Sequence, residues 1–319
     1  IDPLATVLDA AADWGAIGPN ATDDNADNPF RVEISSAAGN NRDVVFDLAV
    51  SAGNGGTGVA EPIVLTVQRG VEKGGILSLS ETWTSDNLYL VTDNLLVMPG
   101  VTLTIEPGTR IQIDPTKSIA VRGELVARGT STERITFAGN PDNWGAIWFR
   151  YESTPATFDG SGHYLSGSIL EYCVVRDTSY GSEALRLEGS PYIAKNIFTA
   201  NHGDYINVIR SDRSARIEQN LLVGNGAWMP VTALWIMGVG GRVAQNTVVG
   251  NASGGLLVPS AGEIVGNNLF SNGDFEANIY PSPTDWSVIG NYWGTTDPMA
   301  IANAIIDFFD GANLGVLAW

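Results

Sequence analysis

From residue 169 onward the apolar and polar positions repeat. "IAKNIFTAN" begins at Ile193, "IEQNLLVGN" at Ile217, "VAQNTVVGN" at Val243 and "IVGNNLFSN" at Ile264. Each unit is an aliphatic residue, two residues, Asn, four residues and a second Asn, and the units recur about every 24 residues. "ILEYCVVRD" at Ile169 keeps the frame with Tyr172 and Asp177 in the Asn places, and "VIGNYWG" at Val288 keeps its first half. The fifth position after the leading aliphatic is apolar (Val174, Phe198, Leu222, Val248, Leu269, Trp293), and the position two further on is usually small (Ala200, Gly224, Gly250, Ser271). Alternation of period two belongs to a strand and predicts that both positions face inward. Asn tolerates left-handed backbone and bonds its own neighbourhood, so the Asn residues are expected where the chain turns. At a fixed register they should stack into two ladders, Asn196, Asn220, Asn246, Asn267 and Asn291 in one and Asn201, Asn225, Asn251 and Asn272 in the other.

Short strands at this period, with turn residues and no helical segments between them, predict a chain coiling into parallel sheets. A leucine-rich repeat would need a Leu-x-x-Leu-x-Leu frame, which is absent. Upstream, "NLLVMPGVTLTIEPGTRIQIDPTKSIAVRGELVARGTSTERITFAGNPDNWGAIWF" alternates strongly from Leu95 to Phe149, with turns at Pro99-Gly100 and Pro107-Gly108. Its phrases "TLTIEPGT", "GELVARGT", "ITF" and "WGAIWF" resemble the first coils of secreted bacterial right-handed parallel β-helix proteins of the pectate-lyase-like superfamily. The resemblance covers about residues 75 to 319. It implies an all-β solenoid at the cell surface or outside the cell; the right hand comes from the resemblance and from the general preference of parallel crossovers. It does not choose among enzymes, adhesins and fibre parts, all of which use such modules. Roughly ten coils at a strand spacing near 4.8 Å would make a rod of about 45 to 50 Å.

Both ends change pattern. In "TTDPMAIANAIIDFFDGANLGVLAW", Asp297 is a good N-cap with Pro298 at the first helical position, and Ile301, Ile305 and Phe308 recur along one face until Gly311. This predicts a helix capping the last coil. Residues 1 to 70 read as strands in "ATVLDAA", "FRVEIS", "RDVVFDLAVSAG" and "PIVLTVQ". They resemble the C-terminal half of the immunoglobulin-like domains that precede β-helices in large surface proteins, an apparently incomplete β-sandwich. The division expected is 1–70 for the partial sandwich, 71–296 for the β-helix and 297–319 for the helical cap, with a linker at Gln68 to Gly75.

Composition narrows the partners. A net charge of -18 repels phosphate backbones and anionic lipid surfaces, so nucleic acid is not expected. No apolar run approaches the ~18 residues of a membrane span. The single cysteine, Cys173, lies in "SILEYCVVRD", which excludes a disulfide within the chain and predicts a buried thiol. The chain opens at Ile1 with neither an initiator Met nor a signal-peptide pattern, so an upstream segment is expected to have been removed.

Candidate chemistry is sparse. Arg186 and Glu188 stand 24 residues before Arg210 and Asp212, at equivalent positions of adjacent coils, and residues two apart share a face. That would bring Glu188 and Asp212 to roughly 5 Å, the carboxyl spacing of a retaining glycosidase. The plainer reading is a ladder of opposite charges on an exposed sheet. Asp23, Asn25 and Asp27 have the alternate spacing of oxygen ligands for Ca²⁺ but lack the Gly and distal Glu of an EF-hand loop, and a solvated turn is the plainer reading there. No cofactor is required. His163 and His202 fall in unrelated registers and are expected at turns or on the surface. Among the tryptophans, Trp144, Trp148, Trp228 and Trp286 are weighed as a sugar-binding row, while Trp235 and Trp293 are expected in the core.

An incomplete sandwich would expose strand edges and the apolar faces of Val32, Ile34, Val45, Phe46, Leu48 and Val50. The function expected is therefore an extracellular structural subunit that assembles with copies of itself, or docks on a surface protein, by strand addition. The alternatives are a fragment of a larger surface protein, a polysaccharide lyase or hydrolase, and a sugar-binding adhesin.

Overall fold

The computed structural model describes residues 3–12, 15–17, 29–40, 42–51, 56–59, 61–141, 143–179, 183–202, 207–226, 232–252, 254–258, 262–279 and 281–319. The chain divides into two compact units, Ile1–Gly70 and Val71–Trp319.

The larger unit is a parallel β-solenoid of about nine turns. Three walls alternate along the chain. The first is an eight-stranded sheet running from Glu81–Trp83 through Ile169–Glu171, Tyr192–Ala194 and Arg216–Glu218 to Gly262–Val265. The second contains Ile135–Gly139, Cys173–Arg176, Ile197–Thr199, Leu221–Val223, Thr247–Val249 and Asn268–Phe270. The third contains Ile147–Phe149, Glu183–Leu187, Asn207–Ser211, Thr232–Ile236, Gly254–Leu257, Ala277–Asn278 and Ile305–Ile306. The ten-residue strand Leu88–Val97 joins the second and third walls, pairing with Arg110–Ile113 near its start and Ile119–Val121 near its end.

The period-two pattern fills the interior. Leu170, Ile193, Ile217, Val243 and Ile264 stack from the first wall, and Val175, Phe198, Leu222, Val248 and Leu269 from the second; all are buried. Each such side chain contributes about 2 kcal/mol by leaving water. At the first coil, Trp83 and Tyr89 stack with centroids 4.5 Å apart, both buried, with Lys73 above the Trp83 ring.

Both Asn ladders form, at the two corners flanking the second wall. The Nδ2 of Asn196 donates to the Oδ1 of Asn220 (3.0 Å), and the same bond links Asn220 to Asn246 (2.9 Å), Asn246 to Asn267 (2.9 Å) and Asn267 to Asn291 (2.8 Å). Each of those Oδ1 atoms also accepts the backbone N–H of the Asn before it in the ladder. The second Nδ2 hydrogen is donated to the carbonyl of the aliphatic residue that leads an adjoining coil, Ile193 for Asn220 and Ile217 for Asn246. A buried amide thus meets all its donors and acceptors. Asn201, Asn225, Asn251 and Asn272 repeat the arrangement, and Glu276 accepts the last N–H groups through both carboxylate oxygens. Burial raises the pKa of Glu276 above the ordinary glutamate range, more than these hydrogen bonds lower it.

The structure corrects four expectations. Left-handed backbone falls on the residue before each ladder Asn: Lys195, Gln219 and Gln245 at one corner, Ala200, Gly224, Gly250 and Ser271 at the other. Those small positions are therefore corner residues rather than inward ones, because a positive φ swings the chain out of the strand. The unit at Ile169 is framed one residue early. Leu170 pairs with Ile193 and Val175 with Phe198, so Cys173 and Thr178 hold the Asn places, and their N–H groups donate to Asn196 and Asn201. The end of the expected linker is strand, since Val71–Leu77 pairs with Leu88–Val97 and Gly74 lies where a Cβ would come within 2.9 Å of the Asp93 Cβ. The C-terminal helix is short, Pro298–Asn303, with Asp297 accepting the Met299 N–H. It ends before Ile305 because Ile305 continues the inward column of the third wall, where a β-branched pair fits a strand better than a helix. Phe308 is half exposed, and Leu317–Ala318 pairs with Trp286–Ser287.

In the smaller unit the described strands form three antiparallel pairs: Ala5–Asp9 with Arg31–Ile34, Arg42–Phe46 with Ile63–Val67, and Ala49–Ser51 with Thr57–Val59.

Asn246→Ala is expected to lower stability by about 3 kcal/mol, since it strands donors and acceptors on both neighbouring coils. Asn291→Ala, at the ladder's end, should cost clearly less. Urea unfolding of the two variants checks the order, and an equal or reversed cost would contradict the ladder's role.

Candidate functional site

The residues singled out for chemistry meet on the outward face of the third wall. Arg186 and Arg210 are direct cross-strand partners, with Trp148 beside Arg186 and Trp235 beside Arg210. The four side chains stack in one column. The Arg186 guanidinium lies 4.5 Å from the centre of the Trp148 ring, that of Arg150 3.9 Å from the same ring, and that of Arg210 4.7 Å from the Trp235 ring. Arginine over an indole face gains about 0.5 to 2 kcal/mol.

A second column, two residues along each strand, carries the opposite charge. Glu188 pairs with Arg186 (3.0 Å) and Arg150 (3.4 Å). Asp212 accepts from Arg210 Nε (2.8 Å) and lies 4.0 Å from Arg186 Nε. Arg210 also reaches the buried Glu183 (3.4 Å). Burial works against the Arg210 charge, but its hydrogen bonds and attraction to Asp212 and Glu183 outweigh that and raise its pKa. The Nε1 groups of Trp148 and Trp235 and the Nε of Arg186 are enclosed without a hydrogen-bond acceptor, so stacking and charge hold the column.

A proton-transfer role needs a carboxyl group free to exchange its proton with substrate. Both candidate carboxylates are engaged by guanidinium groups, and the array from Trp148 to Trp235 braces four successive turns against one another. The sequence brought Arg186, Glu188, Arg210 and Asp212 together correctly. It missed Arg150 and Glu183 and weighed Trp148 only as part of a sugar-binding row; an insertion after Phe149 breaks the 24-residue spacing that would have placed Trp148 and Arg150 on this face. Trp235 was expected in the core; it stands on the outward side of its strand, half buried beneath Arg210, since alternation puts Leu234 and Ile236 inside.

The insertion carries a hairpin, Thr157–Phe158 with Tyr164–Ser166, laid over the first wall. Phe158 and Tyr164 pack on Tyr192, Arg216 stacks on Phe158 at 4.0 Å, and Arg216 donates to the Gly162 carbonyl. His163 is exposed at its tip and pairs with Asp159 (3.1 Å), and His202 is exposed. Below the hairpin, Glu218 bridges Arg216 and Arg242, which pairs onward to Glu263. The signal for this array was available: Arg216-x-Glu218 repeats the Arg186-x-Glu188 spacing.

Cys173 is fully enclosed, and burial pushes its thiol pKa up. Trp144 and Trp293 are buried, and Trp144 donates to the Arg176 carbonyl. Asp23, Asn25, Asp27 and Trp228 lie outside the described residues. Among the described residues, no group of three or more His, Cys, Asp or Glu side chains could hold a metal ion, and no helix is long and apolar enough to cross a membrane. Of the residues expected at an assembly face, Val45 and Val50 are 49% and 43% exposed, while Val32, Ile34, Phe46 and Leu48 are half buried. Ile63, Val64 and Leu65, which were not among the residues expected at that face, are exposed side by side.

Among curated proteins, the Drosophila melanogaster protein bark beetle is 43% identical over 65 residues, which is 20% of this chain. The chain matches 2% of that protein's length. No family model matches the chain, and no solved structure matches it.

Arg186→Ala is expected to lower stability by about 1 to 2 kcal/mol, because it removes one face of the Trp148 stack and leaves Glu188 to Arg150 alone. Glu188→Gln should cost less than 1 kcal/mol at most surface-pair values, about 0.5 kcal/mol. Denaturant melts of both check this; a neutral Arg186→Ala would contradict the brace.

Proposed function

We propose that the chain is an extracellular structural module whose solenoid is a stiff spacer and whose N-terminal unit joins it to copies of itself by strand addition. The resemblance of residues 1–70 to late strands of an immunoglobulin-like domain supports this reading, since the edge strands of such sheets can accept a further strand from another chain.

The observation that carries the proposal is the strand Ile63–Val67. It pairs with Arg42–Phe46, and its Ile63, Val64 and Leu65 are 42%, 52% and 41% exposed. Successive strand residues point to opposite faces, so both faces of this strand offer apolar surface. Val45, directly opposite Val64, adds to one of them. Two-stranded pairs are marginal alone in water and gain from a third strand. The array at Arg186 to Asp212 supports a structural role for the solenoid, since its charges are spent on joining coils.

Sedimentation velocity over a range of protein and salt concentrations tests the reading. Self-association should rise with concentration and with salt, because salt screens the repulsion between chains of charge -18. Replacing both Val45 and Val64 by Lys should abolish it while circular dichroism of the solenoid stays unchanged. A monomer under every condition, or association untouched by the double substitution, would overturn the proposal.

A further inference from the structure

The turn after Ile305–Ile306 holds two phenylalanines out to water. Phe308 and Phe309 are 46% and 83% exposed and sit edge to face, with ring centroids 5.8 Å apart. Their backbone is pinned. The buried Asp307 carboxylate accepts the Phe309 N–H through Oδ1 (3.0 Å) and the Leu317 N–H through Oδ2 (3.0 Å). Asp310 Oδ2 accepts the Asp307 N–H (3.1 Å), and the Phe308 N–H donates to the Gly315 carbonyl (2.9 Å). Closing the coil does not need the two rings, because Val288, Trp293, Ile301, Ile305, Leu314 and Leu317 already fill its interior. A turn held this firmly with its aromatic side chains outward is built to present them to another molecule.

Phe308 lines a groove of about 400 Å³ together with Pro283, Asp285, Leu314 and Val316. The buried Leu314 and half-buried Val316 give it an apolar floor. The exposed Asp285 accepts the Val316 N–H through Oδ1 (2.7 Å), which fixes its carboxylate in the groove wall. Charge in this part of the chain has one sign. Residues 243–319 contain seven Asp or Glu and no Lys, Arg or His, whereas residues 110–242 hold thirteen Asp or Glu and thirteen Lys or Arg. Of those seven, only Glu263 meets a cation among the described residues, namely Arg242. Asp285 and Asp310 are exposed and have no such partner there.

Charge selects the occupant. An anionic lipid surface is repelled, and a second copy brings an excess of carboxylates, 35 Asp and Glu against 17 Lys and Arg. We propose that this groove docks a basic polypeptide segment of a partner protein, in which an apolar side chain is flanked by Lys or Arg. The apolar side chain fills the groove against Phe308 and Leu314, and the cations pair with Asp285 in the wall and Asp310 in the turn. Aromatic anchors with charge at the rim are the common anatomy of protein interfaces. The inference does not rest on the assembly reading.

Selection of a phage-displayed random peptide library on the whole chain tests it, followed by fluorescence anisotropy of the enriched peptides. Those peptides should carry Lys or Arg around Leu, Phe or Trp, and their binding should weaken as salt rises. Replacing Phe308 and Phe309 by Ser should weaken binding about tenfold or more while the melting temperature holds. Asp285→Asn with Asp310→Asn keeps the acceptors for both backbone N–H groups and removes the charges, so it should weaken binding about threefold and flatten the salt dependence. Lys at both Val45 and Val64 should leave binding unchanged. Enrichment of neutral or acidic peptides, no enrichment, or peptides that bind the Phe and Asp variants as tightly as the parent chain would each overturn the proposal. So would self-association, or binding to phosphatidylcholine vesicles, that the Phe308 and Phe309 substitutions abolish, because a second copy or a lipid surface would then be the occupant.

Discussion

Everything in the larger unit depends on what happens to backbone and amide groups where a wall turns into the next. A solenoid of three-residue strands turns so often that its corners lie within the core's own packing, and a buried polar group without a partner costs several times what an average hydrogen bond returns. Asn meets this constraint because its short amide reaches the backbone N–H of an adjoining coil, the next amide and a carbonyl of the adjoining strand at once. A ladder of this kind also fixes register, since sliding one coil by a residue would leave every amide facing the wrong partner.

The register in turn explains the outer faces. Strands locked in step put Arg186 beside Arg210, and Arg216 beside Arg242, so like charges would face one another unless each brought a carboxylate. The i+2 carboxylates Glu188, Asp212 and Glu218 provide it for Arg186, Arg210 and Arg216, and Arg242 is met by Glu218 and Glu263. Cross-coil ion pairs and Arg–Trp stacks are thus a consequence of the parallel register and not a sign of catalysis by themselves. The same register aligns Lys195, Gln219 and Gln245 along one groove, where Lys195 pairs with Glu171 of the adjoining coil and Gln219 donates to Gln245.

The coil architecture was legible in the sequence because its spacing is written in residues of restricted chemistry: Asn at two fixed places and an aliphatic three before the first. Where the amide was absent, the frame slipped. At Ile169 the adjacent aliphatics Ile169 and Leu170 offered two leads, and Tyr172 and Asp177 looked like Asn substitutes, though they occupy the left-handed positions. The C-terminal helix was overextended because Ile301, Ile305 and Phe308 suit a helical face equally well; the inward column of the third wall claims Ile305, which no local pattern reveals. The candidate quartet is legible through its 24-residue spacing, but its Trp148 and Arg150 partners are hidden by the hairpin insertion, Trp235 reads as core between its aliphatic neighbours, and the exposure of Ile63 to Leu65 is hidden because a strand's alternation does not say which side is covered.

The central claim, that buried Asn ladders hold the coils together, is tested most directly by native-state hydrogen exchange at the backbone N–H groups of Asn196, Asn220, Asn246 and Asn267, each of which donates to the side chain of the next Asn. The account predicts that these corner amides exchange as slowly as those of the inward strand residues Phe198 and Leu222. Exchange at the rate of solvent-exposed turns would contradict it.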